Sequence, residues 1–493
     1  MVQSTVTALR IWLVQDDEMT VELHLSDVLA GLSHALDLTE GHPPGHAERS
    51  CLLGMRIAER IDLPEEDRGA LYYALLLKDA GCSVNAAPIA ELYANDDGLV
   101  KATRRMQNHR SKRVSAVHTL RHTAPGGGLR TKLGRVRALV ASGAAGAAQL
   151  TELRCERGAQ IALGIGLSEK SAHAIRALDE HWDGGGYPYG LKGEAIPLLG
   201  RIMCLAQTLE IFWVSGGRTA ACEMAVARAG HWFDPTLVKV VTNSATDDTF
   251  WAGLARPDVR ALEPRSAAIA ADDARLDAVA DAFGQIVDAK TPYTARHSRG
   301  VAQIAALLAL EMGISETEAG RLYRAGQVHD LGKLGISNLI LDKPGKLDAE
   351  EWLAIRGHPE AGHAVLSRIP VLTDMARLAL THHERLDGSG YPHGLTASDL
   401  GLDDRILAVA DVGEALSAER PYREALPPSK VIAIMNEDRG TKLDPVVFEA
   451  FEAVLPQWNA IVQAENRPEL LSPVDLPKPD RLGPFEDSHR AAA

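Results

Sequence analysis

The chain repeats itself, and nothing else in the sequence constrains its fold as strongly. Asp183-Gly184-Gly185-Gly186-Tyr187-Pro188-Tyr189-Gly190-Leu191 recurs as Asp387-Gly388-Ser389-Gly390-Tyr391-Pro392-His393-Gly394-Leu395, 204 positions later. Arg201-Ile202 answers to Arg405-Ile406 at the same offset, and Phe233-Asp234-Pro235 answers to Leu443-Asp444-Pro445. Upstream, His46 to Asp79 and His297 to Asp330 both span 33 residues. Solenoid repeats have periods of about 20–50 residues, so a unit this long is a duplicated domain. The length of 493 residues leaves room for two copies and added segments. The first copy carries an insertion, because Asp79 to Asp183 is 104 residues whereas Asp330 to Asp387 is 57.

Within each copy the apolar residues recur at helical spacing. Asp27 to Leu36 and Val301 to Leu308 place them three and four apart, the pattern of a helix with one buried face. Ser315 with Glu318 fits a capping box opening a helix that runs to His329, and Asp348 with Glu351 fits another helix start. Strand-like alternation is confined to Leu9–Val14. The expected class is all-α, with two tandem helical bundles. The expected boundaries are a first domain over 1–254 with an insertion at about 101–148, and a linker over 255–270 containing Pro257 and Pro264. A second domain then covers 271–460, and a proline-rich tail over 461–493 is expected to be disordered.

Composition bounds the function. A net charge of −14 argues against a whole-chain nucleic-acid binder. The charge is uneven, since Lys101 to Arg137 holds eleven Lys or Arg and no acidic residue. That run is a solvated basic face on two helices that pairs with acidic surface elsewhere, or else a site for an anionic nucleotide, an RNA or an acidic partner; its few aromatics weaken the nucleic-acid alternative. Five scattered cysteines without a C-x-x-C pair fit reduced thiols of a cytoplasmic protein. No membrane span and no secretory leader is expected.

The second copy concentrates metal-type ligands: His297, His329, Asp330, His358, His382, His383 and Asp411. A carboxylate can bridge two cations while imidazoles fill the remaining positions, and this donor mixture suits Fe, Mn, Zn or Co better than Mg or Ca. Paired metals would clamp both oxygens of an in-line displacement and lower the pKa of a water between them, which is the chemistry of phosphate-ester hydrolysis. Lys333 is placed to neutralise a phosphoryl oxygen, and Arg420 and Arg423 offer forked phosphate contacts.

His329-Asp330-Leu331-Gly332-Lys333, followed by His382-His383-Glu384-Arg385-Leu386-Asp387-Gly388-Ser389-Gly390-Tyr391-Pro392, resembles the HD-GYP family of bacterial signalling phosphodiesterases. The resemblance covers about Asp277 to Val454. It implies a helical HD-type bundle that cleaves cyclic di-GMP to pGpG or GMP. The implied metal ligands are His297, His329, Asp330, His358, His382, His383 and Asp411, with Asp330 and Lys333 catalytic. Lys333, Arg420, Arg423 and Tyr391 would contact substrate, and GGDEF proteins are implied as partners. The sequence departs from the family at Tyr293, where members holding three metals have glutamate, so two divalent ions, Fe or Mn, are expected. It departs again at Val412-Gly413-Glu414, where an aromatic residue and Asp are usual.

In the first copy Lys78 stands at the position of His329, Cys82 at that of Lys333, Leu178 and Asp179 at those of the paired histidines, and Gln207 at that of Asp411. Only His46 and Asp79 persist, and a Lys78–Asp79 ion pair is expected in place of metal. This copy is read as non-catalytic, and the second as self-sufficient for metal binding and hydrolysis. The alternatives are an HD phosphohydrolase for another cyclic dinucleotide or nucleotide, and a non-catalytic regulator that binds nucleotide or a GGDEF protein. Oligomeric state and input signal are not legible in the sequence.

Overall fold

The computed structural model describes residues 23–107, 111–292, 296–418 and 425–465. These residues form helices joined by turns and contain no strand, only isolated bridges such as His24 with Ala270. The segment Leu9–Val14 and the tail beyond Glu465 lie outside them.

The first copy opens with α1 (Leu25–Glu40), α2 (His46–Arg60) and α3 (Glu65–Leu76). The insertion runs into α4 (Leu129–Gly164), and α5 (Glu169–Ala177), α6 (Leu198–Arg228) and α7 (Pro235–Asn243) follow. The second copy repeats the order with α8 (Asp273–Asp288), α9 (His297–Glu311), α10 (Glu316–Val328), α11 (Ala349–Arg356), α12 (His358–Leu366), α13 (Thr373–Thr381), α14 (Leu402–Ser417), α15 (Pro428–Asn436) and α16 (Pro445–Glu465). Local signals set several boundaries. The Ser315 hydroxyl accepts the Glu318 N–H at the start of α10, and Asp348 with Glu351 forms a full capping box on α11. α16 continues to Glu465, past the boundary expected at 460.

The duplication is visible in side-chain pairs as well as in helix order. Arg201 pairs with Asp234 at 2.8 Å and Arg405 with Asp444 at 2.8 Å. Glu180 accepts the N–H groups of Tyr189 and Leu191, and Glu384 accepts those of His393 and Leu395, so one buried glutamate closes the same turn in each copy. The expected linker is not slack. Tyr72 donates its hydroxyl to Val259 O at 3.1 Å, and Leu25 N–H meets Ile269 O at 2.8 Å, which lays residues 255–270 along the first copy.

α6 has the length and mean hydropathy of a membrane-spanning helix. Its backbone breaks at Gly216 and Gly217, and Ile202, Met203, Leu205 and Leu209 are fully or almost fully buried, so it serves as a core helix of the first copy.

The copies pack reciprocally. α1 of the first lies on the Leu331–Gly335 turn and on α12 of the second, while α8 of the second lies on the Cys82–Asn85 turn and α4 of the first. A buried polar junction crosses the boundary. Asp97 accepts the Asn338 N–H at 3.1 Å and lies 3.6 Å from Lys290 Nζ and 3.7 Å from Lys101 Nζ. Asn338 Nδ2 in turn reaches Lys290 O at 2.8 Å. This packing weighs against the self-sufficiency expected of the second copy, because separation would bare these faces and leave Lys290 without its carboxylate.

Candidate metal centre

Five elements deliver the ligand-type residues. His297 opens α9, His329 and Asp330 close α10, His358 opens α12, His382 and His383 follow α13, and Asp411 lies in α14. The turn after Asp330 can approach α12 because residue 332 is glycine. A Cβ there would sit 1.9 Å from His358 O.

Asp330 stands at the middle, almost fully buried. Its Oδ2 is 3.4 Å from His297 Nε2 and 3.5 Å from His329 Nε2, and its Oδ1 is 3.3 Å from His358 Nε2 and 3.7 Å from His382 Nε2. Asp411 is a second divided carboxylate, with Oδ1 3.4 Å from His297 Nε2 and Oδ2 3.5 Å from His383 Nδ1. Two cation-sized groups result: His297, His329 and Asp330, and Asp330, His358, His382 and His383.

The outer nitrogens fix the tautomers. Nδ1 of His329, His358 and His382 faces the carbonyl three residues back, at 2.7, 2.6 and 2.8 Å. A carbonyl can only accept, so each Nδ1 carries the proton and each Nε2 presents a lone pair inward. The His358 and His382 Nε2 atoms then face each other at 3.2 Å with two lone pairs and no proton between them. His329 Nε2 and Asp330 Oδ1 are buried without a hydrogen-bond donor. Divalent cations held among these residues would satisfy these atoms, so the donor set fits bound metal.

Electrostatics point the same way. Burial would raise the Asp330 and Asp411 carboxyls, but Lys333 and the imidazoles beside Asp330, and His297 with His383 beside Asp411, hold both well below the usual range. Burial pushes His382 well down, and His383 down to about 3. Burial opposes charge on His297, yet the Glu414, Asp330 and Asp411 carboxylates hold it well above its ordinary value. Ionised carboxylates and neutral imidazoles are the ligand forms that metals bind, and His297 is the exception: without a cation it holds a proton between the carboxylates, which metal binding would displace.

The remaining expected residues divide. Lys333 Nζ bonds Asp330 Oδ2 and is one-fifth exposed, so its ammonium borders the centre. The Tyr391 ring lies 4.7 Å from the His383 ring. Arg420, Arg423 and Tyr293 lie outside the described residues. Sequence reasoning passed over Glu414, treated only as a departure in packing. Its carboxylate bonds His297 Nδ1, and beside it Gly413 lets the Phe451 ring approach to where a Cβ would be 2.4 Å away. The signal was the repeat: Glu210, 204 positions earlier, bonds His46 Nδ1 in the same way.

The first copy has the same frame with cations of its own. Lys78 bonds Asp79, as expected. Gly81 mirrors Gly332, since a Cβ there would meet Arg154 O at 1.8 Å, which identifies Arg154 as the counterpart of His358. Arg154 pairs with Asp179, the counterpart of His383. His42, His46 and Asp79 are close enough to share an ion, but the Lys78 ammonium already occupies Asp79.

An HD domain profile matches residues 146–237 and 281–447, one stretch in each copy. The chain also aligns with a "3'3'-cGAMP-specific phosphodiesterase 3" of Vibrio cholerae serotype O1, at 43% identity over 436 residues covering 87% of this chain and 94% of that one. This chain belongs to the HD domain family, in its HD-GYP branch. A cyclic di-GMP phosphodiesterase of Thermotoga maritima is 40% identical over 160 residues, 32% of this HD-GYP chain and 44% of that one. Among solved structures, the cyclic GMP-AMP specific phosphodiesterase V-cGAP3 of V. cholerae matches with a TM-score of 0.60 and 38% identity, over 88% of this chain and 98% of that one.

Proposed function

We propose that this HD-GYP protein is a metal-dependent cyclic-dinucleotide phosphodiesterase whose second copy does the chemistry and whose first copy is non-catalytic. One observation carries the reading: the two oxygens of Asp330 face two separate sets of imidazoles. His297, His329 and Asp411 would hold one Fe or Mn ion and His358, His382 and His383 the other, with Asp330 between them. When bound, the pair supplies Lewis acidity to the phosphoryl oxygens and lowers the pKa of the attacking water. Lys333 adds a positive charge at the edge of the centre, where charge grows on the phosphoryl group during displacement. Asp330 positions that ammonium through their shared hydrogen bond. Arg420 and Arg423 would contact the phosphates, and Tyr391 would border the bound nucleotide.

Cyclic di-GMP is the substrate expected from the motifs. Coverage favours 3′3′-cGAMP: the relative named for it spans both copies, whereas the cyclic di-GMP relative aligns with a third of the chain. Five free cysteines support a reducing, cytoplasmic setting.

The test is anaerobic purification, metal analysis and assay of the full chain against 3′3′-cGAMP, cyclic di-GMP and cyclic di-AMP. Asp330→Ala should lose both metal and hydrolysis. Lys333→Ala should keep metal and lose turnover. Hydrolysis by a metal-free Asp330→Ala protein would refute the proposal.

A further inference from the structure

α11 is an odd helix. It has a full capping box at Asp348 and Glu351 and ends at Arg356, one residue short of His358 across Gly357, yet none of its residues is buried. Two of its three large apolar side chains point outward, with Trp352 48% and Leu353 73% exposed. An indole left half in water on a well-capped helix forgoes some of the largest burial free energy available to any side chain. Trp352 and Arg356 are four residues apart, so they share one face.

That face leads to the metal centre. The Arg356 guanidinium carbon is 6.0 Å from the Trp352 ring centroid and 5.4 Å from that of Tyr391. Tyr391 lies 4.7 Å from the His383 ring and 6.5 Å from the His358 ring. A continuous wall therefore runs outward from two ligand-type histidines through a phenol and a guanidinium to an exposed indole. Tyr391 borders the guanidinium on one side.

The chemistry of that wall suits a nucleobase. An exposed indole stacks on bases, and a guanidinium makes a forked pair with guanine O6 and N7 that adenine, with a donor at N6, cannot accept. The first copy supplies an internal control. At the offset of 204 it keeps Tyr187 for Tyr391 but has Ala148 for Trp352 and Glu152 for Arg356. The copy without the ligand set thus also lacks the indole and carries the opposite charge.

We propose that Trp352, Arg356 and Tyr391 form the guanine-binding wall of the substrate site, with Trp352 stacking on the base and Arg356 reading its O6/N7 edge. The inference rests on the phosphodiesterase reading above and adds to it the base selected and the residues that select it.

The experiment uses the full, metal-loaded chain with cyclic di-GMP, 3′3′-cGAMP and cyclic di-AMP as substrates or competitors. Trp352→Ala should raise KM for 3′3′-cGAMP at least tenfold, and Trp352→Phe should restore most of that loss. Arg356→Met should shrink the preference for cyclic di-GMP over cyclic di-AMP at least tenfold, and Arg356→Lys, which lacks the fork, should not rescue it. Metal content should match wild type in all four variants. A preference within twofold of wild type in Arg356→Met overturns the wall, as does loss of metal in Trp352→Ala, which would make α11 a structural support. Wild-type protein that cleaves cyclic di-AMP as well as cyclic di-GMP overturns the wall and leaves the phosphodiesterase reading standing. Cleavage of none of the three overturns both.

Discussion

The carboxylate of Glu414 holds Nδ1 of His297, and across the duplication Glu210 holds Nδ1 of His46. In the second copy this contact turns His297 Nε2 toward Asp330 and Asp411, each 3.4 Å away. Partners of this kind set ring orientation and basicity, and removing one typically weakens metal binding by about 10–100-fold. Glu414→Gln should therefore lower metal affinity by about that factor, read by titration of the apoprotein with Mn, and hydrolysis should recover at excess metal. Unchanged affinity would show that packing alone holds His297.

The boundary between the copies should depend on Asp97. Asp97→Ala strands Lys290, which is almost fully buried, and removes the acceptor for the Asn338 N–H. Breaking a buried pair from one side costs about 3–5 kcal/mol. Urea denaturation of the full chain should show a loss of that order, and Asp97→Ala combined with Lys290→Met should recover part of it. A loss below about 1 kcal/mol would mean that water reaches the junction.

In the first copy Lys78→Met leaves the Asp79 carboxylate buried beside no cation of its own. Stability should fall by about 3–5 kcal/mol for the same reason, with the metal content of the chain unchanged. Loss of metal in this variant would place a cation in the first copy.

Asp37 gives a pH signature. Burial raises its carboxyl from 3.8 to about 6, against the pull of Lys78. The native state therefore keeps a proton that the unfolded chain releases at lower pH. The contribution of this carboxyl to stability is full below about pH 4, falls as pH rises to about 6, and is flat above. The linked change is about 3 kcal/mol for a shift of this size. Asp37→Asn should remove that decline, so the difference between wild type and variant, followed by denaturation at pH 4 to 7, should narrow or invert as pH rises.

The repeat, the helical class and the seven clustered residues were legible because they depend on identity and spacing, which the chain displays directly. His329-Asp330 and His382-His383 marked themselves as adjacent pairs. Glu414 and Arg154 did not, because each acts through a partner more than twenty positions away and neither belongs to a motif. Lys101 shows the limit of reading charge runs. Within the basic segment expected to be a solvated face paired with acidic surface, its ammonium finds an acidic partner in Glu40 at 2.9 Å but is only 8% exposed. The wall of Trp352 and Arg356 was equally silent, since its meaning lies in Tyr391, thirty-five positions beyond Arg356.

The most direct test is to count metal ions per chain by mass spectrometry in anaerobically purified wild type, Asp330→Ala and His46→Ala. Wild type and His46→Ala should each carry two, and Asp330→Ala should carry none. Metal retained in Asp330→Ala, or lost in His46→Ala, would contradict a single binuclear centre in the second copy.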